Sequence, residues 1–140
     1  MKPLAAQQAC PCGRCAGKSG KQQAYADCCG RWLEPYAQSV TPPDAESLMR
    51  SRYSAFVLER AAYLLDSWAA SHRPESIVFD PGVKWLGLEV RAHHVTGEAT
   101  AEVEFVARQK PATGPAVRLH ERSRFLREAG RWLYLDGDPL

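Results

Sequence analysis

Two cysteine pairs, Cys10-Pro11-Cys12-Gly13 and Cys28-Cys29-Gly30, constrain this chain more than any other feature. All five cysteines fall between positions 10 and 29, and the 111 residues that follow contain none. In a secreted protein such clustering would suggest a disulfide knot. The start of the chain lacks the apolar stretch of a secretory signal, so the reading is a cytoplasmic protein whose thiols stay reduced. Zinc accepts four soft thiolates in a tetrahedron, and two ligand pairs joined by a loop meet that geometry. Cys10, Cys12, Cys28 and Cys29 are the expected ligands. Pro11 limits the backbone between the first pair, and Gly13 permits the tight turn that aims both sulfurs at one ion. Cys15 is the odd cysteine, and whether it or Cys12 completes the site is open at this level.

Length and charge narrow the remainder. The 140 residues allow one ordinary domain and a small appendage, and 45% hydrophobic with 24% charged residues is a globular composition. No apolar run approaches the roughly 18–20 residues of a membrane span. Residues 1–43 hold five Lys/Arg against two acidic residues, whereas the rest hold 13 basic and 14 acidic residues. The larger part therefore shows no electrostatic footprint for nucleic acid. A four-thiolate zinc site carries a formal −2, and Arg14, Lys18, Lys21 and Arg31 are suited to offset it.

Residues 1–31 read as a zinc module, 32–43 as a linker ending in Pro42-Pro43, and 44–140 as the main domain. Asp44 is placed to cap a helix that carries Leu48, Met49, Tyr53, Phe56 and Val57 at helical spacing. A second helical stretch, about Arg60 to Ala70, precedes Pro74. From Val83 the period becomes two. Leu86, Leu88, Val90 and Ala92 alternate with Trp85, Gly87, Glu89 and Arg91. Ala101, Val103, Phe105 and Ala107 form the next strand, Val117–Arg127 a third, and Gly130 closes a hairpin onto Trp132–Leu135. Helices followed by an antiparallel meander imply an α+β fold with the helices on one sheet face.

Two polar residues break the apolar pattern. Arg52 shares a helical stripe with Leu48 and Phe56, and Glu121 shares a strand face with Leu119, Ser123 and Phe125. A buried charge is costly unless paired. Either the two meet as a structural ion pair or both line a solvated pocket, with Tyr53 and Ser123 as neighbouring polar groups. Arg50, Arg122 and Arg124 fall on the opposite parity and read as a basic surface stripe. The four histidines form no metal set, and no phosphate loop or nucleophile motif is present.

Ser19-Gly20-Lys21, Tyr25 and Cys28-Cys29-Gly30, after Cys10-Pro11-Cys12-Gly13, resemble the SEC-C motif, a small zinc module, with Arg14–Lys18 as an insertion. Leu48-Met49-Arg50-Ser51-Arg52-Tyr53, Trp85-Leu86-Gly87-Leu88, Glu121-Arg122-Ser123-Arg124-Phe125 and Trp132–Gly137 are similar to the bacterial YchJ-like family. That resemblance implies a SEC-C module joined to a nuclear-transport-factor-2-like domain, in which a curved antiparallel sheet wraps helices around a conical pocket. The function it implies is an adaptor or binding protein whose zinc knuckle contacts a protein partner, with a small ligand or a homodimer formed by the pocketed domain. The rival expectation is an enzyme with Glu121 as acid or base in that pocket.

Overall fold

The structure is a computed structural model that describes residues 2–16, 20–34 and 41–140, with only the backbone of Cys15 and Ala16. Residues 35–40 of the expected linker therefore lie outside the described residues. The N-terminal part contains a two-residue hairpin of β1 (Cys15–Ala16) and β2 (Lys21–Gln22), a 3-10 turn (Tyr25–Asp27) and a short helix α1 (Gly30–Leu33). Then come α2 (Ala45–Val57), α3 (Ala61–Asp66) and four strands: β3 (Lys84–Gly97), β4 (Thr100–Lys110), β5 (Val117–Glu128) and β6 (Arg131–Pro139). The strands pair as an antiparallel meander in the order β3-β4-β5-β6. The fold is α+β, with a curved sheet behind the helices.

Local chemistry explains the element boundaries. The Asp44 carboxylate accepts a 2.7 Å hydrogen bond from the Ser47 N–H, which satisfies one of the free donors at the start of α2. At the β5–β6 turn Ala129 and Gly130 both have positive φ, as a two-residue primed hairpin turn requires. α3 ends at Asp66, earlier than the helical pattern suggests. The reason is tertiary: Tyr134 N–H donates to Ser67 O and Ala69 N–H donates to Tyr134 O, so this stretch pairs with β6 instead of continuing as helix.

Three register irregularities interrupt β3, and the first two re-aim its side chains. The register passes from Trp85↔Gln109 to Gly87↔Arg108, leaving Leu86 as an extra residue. Trp85 thereby faces the helices and Leu86 is 54% exposed, contrary to simple alternation. Arg91 is the extra residue of the second bulge, after which His93 stands opposite Val103. Ala101, Val103 and Ala107 keep the expected inward parity on β4, and their small side chains let α2 approach the sheet closely.

One core serves the whole of the described chain. Leu48, Met49, Tyr53 and Leu58 from the α2 region pack with Val103, Phe125 and Trp132 of the sheet, and Cys10, Cys12, Tyr25, Cys28 and Cys29 join the same cluster. On the outer sheet face the arginines are not an unopposed basic stripe. Arg124 lies 2.6 Å from Asp136 and from Asp138, and Arg122 lies 4.0 Å from Glu104. Because α2 is central to the core, its cap is a direct stability probe: Asp44→Ala should lower unfolding stability by about 1 kcal/mol. Urea titration should show a lower midpoint with an unchanged slope.

Candidate functional site

The N-terminal module builds one candidate centre. Gly13 N–H donates to Cys10 O across a tight turn, and Gly13 adopts φ +74°, a conformation that favours glycine. Cys10 N–H donates to Gln23 O, which sets the first pair beside the turn carrying Cys28 and Cys29. The four Sγ atoms of Cys10, Cys12, Cys28 and Cys29 lie within 4.8 Å of one another, and no residue of the four is more than 3% exposed. Cys12 and Cys28 are 3.5 Å apart, too far for a disulfide and close to the edge of about 3.8 Å in a tetrahedral zinc–thiolate site. Four thiols packed this closely cannot all ionise alone. Hydrogen bonds from Cys12, Cys28 and Cys29 drive the Cys10 thiol down, while bonds to Cys10 and Cys12 and then burial drive Cys28 and Cys29 up. A divalent cation removes that conflict, so the donor set fits a soft metal ion.

The cluster is supported from α2. The Ser54 hydroxyl, fully buried, lies 3.7 Å from Cys10 Sγ and can donate to it as thiolate. Arg50 Nη1 donates to Cys12 O at 3.1 Å while its Nε pairs with Glu46 at 2.8 Å. From the module, Arg14 reaches Ser47 Oγ at 2.8 Å and Arg31 Nε holds Cys28 O at 2.9 Å. Arg50 was missed as a supporting residue because its parity reads as solvent-facing. The available signal was Ser47 and Ser54, small hydroxyl residues seven apart on one stripe of α2. Lys18 lies outside the described residues.

The second candidate centre is a cavity of about 530 Å³ between α2 and the sheet. Arg52, Tyr53, Glu121 and Ser123 all line it, together with aromatic walls that include Phe56, Trp68, Trp85 and Tyr134. Arg52 and Glu121 do not form an ion pair. Arg52 Nη1 instead donates to Leu64 O at 2.8 Å and Ser67 Oγ at 2.7 Å, and its guanidinium lies over the rings of Tyr134 (4.6 Å) and Trp68 (5.0 Å). Leu64 is in the last turn of α3, where carbonyls lack helical partners. Glu121 accepts a short hydrogen bond from Ser123 and lies flat across Gly137 of the neighbouring strand. A Cβ at Gly137 would stand 2.5 Å from Glu121 Cδ, so any side chain there would displace the Glu121 carboxylate from its present position.

Burial dominates the electrostatics of the cavity. It pushes Arg52 down to about 10, which leaves the guanidinium charged at neutral pH. It also raises Tyr134 to about 12, with the Glu121 charge adding to the shift, and raises Tyr53 to about 12. None of the histidines enters the cysteine cluster; His120 lies 2.8 Å from Glu104 and His93 3.9 Å from Glu46.

A cysteine knuckle joined to a curved sheet with a cavity between sheet and helix defines a class: SEC-C-like module plus nuclear-transport-factor-2-like domain. Residues 44–137 match the family described as "YchJ, middle NTF2-like domain". A UPF0225 protein of Polaromonas sp. is 68% identical over 129 residues, covering 92% of this chain and 91% of the relative. A UPF0225 protein of Bordetella parapertussis is 51% identical over 138 residues, covering 98% and 97%. The solution structure of a SEC-C motif containing protein from Rhodopseudomonas palustris superposes with a TM-score of 0.75 at 30% identity, covering 95% of this chain and 99% of that one. A crystal structure of a SEC-C motif containing protein from Psychrobacter arcticus gives 0.76 at 30% identity, covering 94% and 82%. The chain belongs to the UPF0225, or YchJ-like, family.

Two tests follow from the support that α2 gives the cysteines. Ser54→Ala should weaken metal affinity about tenfold in competition with a chromophoric chelator, since outer-shell partners typically carry that much. Stripping metal from the wild type should lower the thermal midpoint by at least about 5 °C in one transition. Near-ultraviolet dichroism from the cavity tryptophans should change in the same transition.

Proposed function

We propose that this protein binds a small molecule in the cavity between α2 and the sheet, with zinc held by Cys10, Cys12, Cys28 and Cys29 as a structural ion. The observation that carries the reading is that a buried cation, Arg52, and a carboxylate, Glu121, line one aromatic-walled cavity without bonding to each other. A pocket with few convergent polar groups on apolar walls is the usual form of a small-molecule site. Zinc suits the knuckle because four thiolates fill its tetrahedron and leave no open position for substrate. Such a site needs reduced thiols, which suits the cytoplasm. Among the described residues no helix is long and apolar enough to cross a membrane.

The adaptor role expected for the knuckle has less support, since its cysteine side faces α2. An enzyme using Glu121 as acid or base is the second reading, favoured by a carboxylate and the Ser123 hydroxyl bonded together at the cavity wall. The test is a screen of small aromatic and apolar fragments against the zinc-loaded protein by amide and indole NMR. Fragments should shift Trp68 and Trp85 indole signals more than knuckle amides. Absence of any cavity shift up to millimolar fragment would overturn the proposal. A protein partner captured by the wild type and lost with Cys10→Ser/Cys12→Ser would favour the adaptor.

A further inference from the structure

Arg52 is a buried cation that no carboxylate touches; the Glu121 charge reaches it only through space within the same cavity. Arg52 is 6% exposed, and every partner it touches is neutral: a backbone carbonyl, a serine hydroxyl and two aromatic faces. Both hydrogen bonds leave from Nη1. A guanidinium carries five N–H groups, so the Nε–H and the two Nη2–H groups have no hydrogen-bond partner among the described residues. Nε–H and one Nη2–H form the side-on fork that matches the two oxygens of a planar carboxylate. Desolvation strengthens that match, because water competes poorly inside an aromatic-walled site. A guanidinium in such surroundings is costly to maintain unless an anion completes it.

The rest of the cavity limits which anion fits. Glu121 lines the same space, so a dianion on Arg52 would place its second charge against a carboxylate. Arg118 also borders the cavity but is exposed, and its help to a second charge is screened by solvent. Trp68 and Tyr134 flank the guanidinium, so the group attached to the anion meets aromatic faces. Glu121 already accepts from Ser123 and has oxygen lone pairs left for a further donor.

We infer that the cavity takes an aromatic or similarly planar apolar monocarboxylate, its carboxylate on the Nε/Nη2 edge of Arg52 and a hydroxyl or amine donor toward Glu121. This rests on the reading of the cavity as a ligand site and names the chemical class of its occupant. Arg52 supplies the charge and the two-point geometry, the rings supply the apolar contact, and Glu121 rejects a second negative charge while accepting a proton donor.

The experiment uses the full chain loaded with zinc at pH 7 and moderate salt. Probes are 4-hydroxycinnamate, 4-hydroxyphenylacetate and 2-naphthoate, each with its methyl ester, and phenyl phosphate. Calorimetry should show at least one acid binding at least tenfold tighter than its ester and tighter than phenyl phosphate. The Arg52 Nε–Hε NMR signal should shift with the acid and not with the ester. Arg52→Lys keeps the charge but loses the fork, and should cut the acid–ester ratio at least tenfold. Because that variant also disturbs the bonds to Leu64 and Ser67, Glu121→Gln provides a second variant that leaves Arg52 in place. It should narrow the gap between acid and phenyl phosphate severalfold.

Esters that shift the cavity indoles as strongly as acids, with equal affinity, would overturn the carboxylate inference while leaving the ligand site standing. Phenyl phosphate binding more tightly than every acid in the wild type would also overturn it. A Glu121→Gln variant with an unchanged ratio would remove the role given to Glu121. If no probe of either kind shifts a cavity signal at millimolar concentration, the ligand site and its occupant fail together.

Discussion

The structure depends on α2 being covered on both sides. Nine of its 13 residues are buried, including Ser47, Ser51 and Ser54, so it is not the half-exposed helix that a single sheet layer can satisfy. The sheet takes one side through Ala101, Val103 and Phe125. The cysteine knuckle takes the other through Cys10, Cys12 and Tyr25. Small hydroxyl side chains on the knuckle side serve two ends: they allow close approach, and they give polar partners to Arg14 and to the Cys10 sulfur. A second set of contacts, running Tyr25–Glu34–Arg60 and from Arg60 to Lys2 O, ties the module to the turn after α2. The module is therefore a layer of the core and not a pendant.

That arrangement links the two candidate centres through one helix. Ser47, Arg50 and Ser54 point one way from α2, and Met49, Arg52 and Phe56 point the other. A 13-residue helix moves largely as a unit, so the position of the guanidinium in the cavity is set partly by how firmly the knuckle holds the opposite face. The cavity side is held by its own bonds to Leu64 and Ser67, and Ser67 is in turn fixed by pairing with Tyr134.

Much of this was legible in the residues. The cysteine spacing located the cluster, Asp44 marked the start of α2, and the alternation on β4 identified the inward face. What could not be read depends on distant partners. One extra residue at each β3 bulge reverses parity, so Trp85 turns inward and Leu86 outward, and composition does not announce where a bulge falls. α3 stops at Asp66 because Ser67–Ala69 finds β6, a pairing some 65 residues away. Arg50 was read as surface because parity cannot show that a second layer covers that side. Arg52 and Glu121 both line the cavity, but pattern alone could not say whether two opposite charges touch.

Their separation is the more telling outcome. A sealed pair would have met the cost of two buried charges locally, and nothing further would be needed to explain them. Here each charge has its own neutral support: Arg52 has the end of α3 and two aromatic faces, and Glu121 has Ser123 and a glycine backbone. Two residues held apart by separate sets of contacts are harder to account for as core packing than as fixed points for something placed between them. The knuckle offers no comparable opening, since its four sulfurs face one another and are closed to solvent. On the proposed reading, recognition is concentrated on the cavity side of α2, and the cysteines serve by holding that helix in place.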